Sequence, residues 1–171
     1  GMKSEVGLFS EKNLPLLTSD AKLSKEYDAV IGSQTVRWEG EEVTLTQLSP
    51  VMLKTDRKNR EKAWKMAAKR RLEDRQSINE IWIKILKTRM SIAKNSGYGD
   101  YRAWRWEYLK RFDYTPEDCL TFHKSIEKVI VPLADKLLKN RKEALGLEKL
   151  KPWDLSAVSY THLTLPTTKQ V

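Results

Sequence analysis

Cysteine is nearly missing: Cys119 stands alone among 171 residues. One thiol cannot close an internal disulfide, and it excludes any multi-cysteine zinc site. Histidine is almost as scarce, with only His123 and His162. A zinc ion needs at least three protein ligands, and the sequence contains no HExxH. No apolar run approaches the ~20 residues that cross a bilayer, and no signal peptide opens the chain. These absences point to a cytoplasmic protein with no membrane partner. What the chain does have is positive charge, +9 at neutral pH. Such a balance ordinarily serves solubility, and it also suits nucleic acid or another anionic surface.

The periodicity is that of a mainly α protein: long antiparallel helices with one short β-hairpin at about residues 35–45. Residues 1–18 read as loop because Pro15 interrupts them. Ser19 or Asp20 then starts a helix to about Ile31, and Gly32 ends it. At Thr35-Val36-Arg37-Trp38 the period becomes two. A Glu-Gly-Glu turn and Val43-Thr44-Leu45 complete a hairpin centred on Gly40. A lone two-stranded ribbon is marginal in water, so it must pack on helices. Leu48 to Leu53 suits a short helix.

Asp56 caps the longest pattern, in which apolar residues from Trp64 to Ala93 keep helical spacing up to Asn95. An unbroken helix of that length would reach roughly 60 Å. A compact chain of this size has a radius of gyration of about 15–16 Å. The pattern therefore predicts a piece of a larger helical body. Tyr101, Trp104, Tyr108 and Leu109 line one face of a shorter helix beyond Gly97 and Gly99. Thr115-Pro116-Glu117-Asp118 opens the last long helix with a cap, a proline where no N–H is needed, and two acids at the positive end. Its apolar stripe runs from Leu120 through Ile126, Val129, Ile130, Leu133 and Leu137 to Leu145, a face that calls for burial. Pro132 predicts a kink rather than a break, and Gly146 a stop. If the body is incomplete, apolar residues of both long helices face nothing within this chain.

Three clusters suggest chemistry, and each has a plainer reading. Cys119 and His123 lie four apart on one helical face, the spacing of a thiolate–imidazole pair or two metal ligands. Without a third ligand or an orienting acid they read as a small filler and a surface group, as do His123 and Glu127. The run from Tyr101 to Phe112 alternates aromatics with cations and could stack bases. Helical spacing instead separates the rings from most of the cations, giving core aromatics with arginine stems over them. Arg57-Lys58-Asn59-Arg60 and Lys69-Arg70-Arg71 read as solvated helix face, with Glu61 and Glu73 to pair. No catalytic, cofactor-binding or metal-ligating residue is assigned.

Four blocks carry a family resemblance: QTVRWEGEEVTL (34–45), DRKNREKAW (56–64), GYGDYRAWRWEYLKRFDYTPEDCLTFH (97–123) and VIVPLADKLLKNRKEALGLEKLKPWDL (129–155). From about Asn13 to Leu155 the chain resembles the pre-catalytic helical portion of the oligoendopeptidase F family, relatives of thimet oligopeptidase. The resemblance implies a cytosolic zinc metallopeptidase that cleaves short peptides in a channel between helical lobes. Zinc would be held by HExxH and a glutamate on a following helix, downstream of this segment. It further implies that residues 1–156 are scaffold and channel wall, inactive alone, whose partner is the missing catalytic portion of the same chain. A basic nucleic-acid- or anion-binding module is the alternative.

Residues 158–171, VSYTHLTLPTTKQV, share nothing with the preceding chain. They resemble a translated sequencing adapter of the transposon-insertion type, which in one frame specifies Val158 through Thr167 and, with the bases before it, Ala157. Residues 157–171 are thus expected to be a non-native, unstructured tail, with the natural gene interrupted near Ser156.

Overall fold

A computed structural model describes residues 8–157; the adapter-like stretch from Val158 onward, His162 included, lies outside them. Pro15, read from sequence as a loop signal, instead sits in the first turn of helix α1 (Leu14–Gly32), which follows a 3-10 turn at Glu11–Asn13. The first turn has no intrahelical use for the N–H that proline lacks, and the ring presets φ for the helix. The expected loop over residues 1–18 therefore gives way to helix at Leu14.

Strands β1 (Thr35–Trp38) and β2 (Glu41–Thr44) pair antiparallel, with Val36 opposite Val43 and Trp38 opposite Glu41. Two residues connect them rather than three, and both Glu39 (φ 52°) and Gly40 (φ 95°) are left-handed. That backbone matches the twist of a tight hairpin. Thr44 ends the ribbon by capping helix α2 (Leu45–Leu48) in a reciprocal box with Gln47, and a 3-10 turn at Ser49–Leu53 follows. The ribbon's Val36, Trp38 and Val43 pack with Leu48, Val51 and Ala63, giving the hairpin the apolar backing it needs.

Asp56 caps the next helix as its position predicts, its Oδ1 accepting from the backbone N–H groups of Lys58 (2.9 Å) and Asn59 (3.2 Å). The single 60 Å helix does not form. Helix α3 (Arg57–Glu73) and helix α4 (Arg75–Asn95) are separate, divided at Asp74, whose φ and ψ of −91° and 4° leave the helical range. Aspartate disfavours a helix interior because its short side chain competes for hydrogen bonds. Here the carboxylate accepts from Nε2 of the buried Gln34 at 2.8 Å. The apolar period runs through that point and conceals the break.

Helix α5 (Tyr101–Tyr108) starts at Asp100, whose side chain caps the Ala103 N–H at 2.7 Å. Helix α6 (Pro116–Ala144) opens with a reciprocal Thr115–Asp118 box and runs through Pro132 without a break. Gly146, at φ 62°, stops it, and the Leu147 N–H folds back to the Lys142 carbonyl at 3.0 Å. The α6 stripe departs from its predicted burial: α6 buries no residue, and Phe122, Val129 and Leu137 are 60–63% exposed. The expectation of bare apolar residues describes it correctly.

Two compact units are present, one built from residues up to Gln34 with Arg71–Lys124, the other from Thr35–Arg70 with the chain from Ser125 onward. In the first, α1 packs on α4, Arg89 of α4 grips Asp20 of α1 (2.8 and 3.3 Å), and Ile81 and Ile85 are buried. Buried Asn13 closes the other end, donating to the Ile92 carbonyl (3.1 Å) and Ser96 Oγ (2.8 Å) while accepting from Asn95 (3.0 Å). The second unit holds the hairpin core.

Candidate functional site

The most chemically concentrated place is in the second unit. There a 3-10 turn, Pro152–Asp154, delivers Asp154 to the start of α3. Asp154 has no exposed surface, and its carboxylate accepts from Arg57 through Nε and Nη2 (both 2.9 Å), from Arg60 Nη2 (3.1 Å), and from the Lys151 N–H (2.9 Å). Arg60 is itself buried, and its remaining donors reach the carbonyls of Trp153, Lys54 and Thr55, each at 2.8 Å. Arg141 adds bonds to the carbonyls of Asp154 (3.4 Å) and Ala157 (2.8 Å).

Arg60 therefore corrects the reading of Arg57–Arg60 as solvated helix face. A guanidinium enters an interior when every donor finds an acceptor, and here the Lys54 and Thr55 carbonyls are local while Trp153 and Asp154 lie 93 and 94 residues away in sequence. Lys58, Lys69 and Arg71 remain exposed as read, while Arg57 and Arg70 are half-buried. Glu61 pairs with Lys65, at 2.6 Å.

The Arg57 hydrogen bonds hold the Asp154 carboxyl down at about 2, against the opposing pull of burial, with the Lys151 N–H and Arg60 assisting. A group ionised throughout the physiological range, with its lone pairs occupied, neither takes up nor releases a proton. The cluster is a clamp on residues 151–157 rather than an acid–base centre. Trp153 extends it, with its ring 5.6 Å from that of Trp64 and under Lys65 Nζ.

In the first unit, Tyr101, Trp104 and Tyr108 stack at centroid distances of 5.4 and 5.1 Å, and Trp104 is buried. Arg89 covers the Tyr101 ring, Arg105 that of Tyr108 and Arg111 that of Trp106. The faces a base would stack on are occupied, and the rings serve the core with Ile92 and Ala93. Beside them an open cleft of about 430 Å³ is lined by Leu8, Phe9, Leu17, Trp104 and Tyr108. Tyr98 donates its hydroxyl to Glu107, a bond that holds its phenol up at about 12.

Cys119 is half-buried and His123 exposed, one turn apart on α6. Among the described residues no three His, Cys, Asp or Glu side chains converge on a point where a metal could sit. The donors of the described residues do not fit a zinc site.

The family model for peptidase family M3 matches residues 51–169, a span that includes the arginine–aspartate clamp and α6. The chain belongs to peptidase family M3.

Its fold agrees with solved peptidase structures over nearly its whole length. It is similar to PZ peptidase A, solved with an inhibitor, at 33% identity and a TM-score of 0.87. It is also similar to a protein assigned as an oligoendopeptidase F from Bacillus anthracis str. Ames, at 26% identity and a TM-score of 0.86. In both cases 91% of this chain is covered but only 28% of the other. Another protein assigned as an oligoendopeptidase F gives 26% identity and a TM-score of 0.85, with 89% and 27% covered. No curated protein matches. This M3 chain thus spans little more than a quarter of the peptidases it matches, and no described helix is long and apolar enough to cross a membrane.

Proposed function

We propose that this chain is the helical scaffold and channel wall of an oligoendopeptidase F-like zinc metallopeptidase, cytoplasmic and acting on short peptides, and that by itself it hydrolyses nothing. The observation that carries the reading is the pairing of whole-chain similarity with partial coverage: TM-scores of 0.86–0.87 over 91% of this chain against 28% of the peptidase. The absence of HExxH from the sequence supports it. On this reading zinc and the water it activates belong to the portion of the peptidase outside this chain. That portion, on the same reading, is what covers the exposed face of α6.

What this chain's own residues contribute is placement. The clamp of Arg57, Arg60, Arg141 and Asp154 fixes the path after α6, and Asn13 with Asp20 and Arg89 fixes α1 against α4. Incubation with a quenched fluorescent peptide and zinc, with and without chelator, tests the proposal. No hydrolysis is expected, and chelator-sensitive cleavage by the purified chain would refute it.

A further inference from the structure

We draw no further inference here: the strongest candidate, the open apolar cleft of about 430 Å³ that Leu8, Phe9, Leu17, Trp104 and Tyr108 line in the first unit, has nothing in the structure to show what covers it, and the Trp104 indole N–H, unpaired among the described residues, is closed off from solvent.

Discussion

Helices α3 and α6 reverse the usual relation between polarity and burial. The first is dominated by lysine and arginine yet buries Arg60 and Ala63. The second carries phenylalanine, valine, isoleucine and leucine along its length and buries nothing. Burial follows from what the rest of the chain supplies. Arg60 is interior because Asp154 and three carbonyls meet every donor it points inward. The α6 face is bare because no element of the described chain is packed over it. A buried charge with all its partners present belongs to a finished piece of structure, whereas an unmet apolar face belongs to an interface.

The sharpest way to break this contrast is at Asp154. Asp154→Ala leaves the Arg60 guanidinium buried without its counter-charge and should destabilise the chain by about 3–5 kcal/mol. Urea unfolding followed by the fluorescence of Trp64 and Trp153 would measure it. Replacing both partners with apolar residues, Arg60→Met with Asp154→Leu, should recover much of that loss. A core aromatic in the other unit should behave similarly: Trp104→Ala is expected to cost about 3–5 kcal/mol. Leu133→Ala on α6, measured in dilute protein, should cost less than about 0.5 kcal/mol beyond any change in helix propensity. If Leu133→Ala instead costs as much as Trp104→Ala, the α6 face is covered within the chain.

Acid provides a finer test of the clamp. Asp154 titrates at about 2 in the folded chain, below its ordinary value. Its contribution, about 2 kcal/mol, is therefore complete above pH 4 and is lost as the pH falls through 2. The difference in stability between the original chain and Asp154→Asn should shrink over that range. Smaller effects are expected where one neutral bond set is removed. Asn13→Ala should cost about 1–3 kcal/mol, because it empties a buried site and removes the side chain that bonds the Ile92 carbonyl, Ser96 and Asn95 together. Thr115→Ala should remove the α6 cap at about 1 kcal/mol.

Much of this architecture can be read along the chain. Asp56, Thr115, Gly97 and Gly146 act as the starts and stops that local capping chemistry predicts, and the period-two stretch at Thr35–Trp38 becomes a strand. These signals are local, decided within one turn of backbone. Features that depended on distant residues stayed hidden. The break at Asp74 needed Gln34, the burial of Arg60 needed Asp154, and the role of Asn13 needed the end of α4. A Trp-Asp pair in a non-helical turn just after a helix stop was the one available hint of the clamp. Pro15 departs from expectation for a different reason, since proline marks the first turn of a helix as readily as a loop. For the candidate site, aromatic spacing correctly assigned Tyr101 and Trp104 to packing, while nothing local could distinguish Arg57 and Arg60 from the solvated cations around them.

Helix α6 carries its apolar face uncovered among the described residues of this chain. Hydroxyl-radical footprinting with mass spectrometry, on protein dilute enough to be monomeric, tests it directly. Phe122, Leu133 and Leu137 should be oxidised readily while Ile92 and Trp104 stay protected. Protection of the three α6 residues to the level of Ile92 in the monomer would contradict the account.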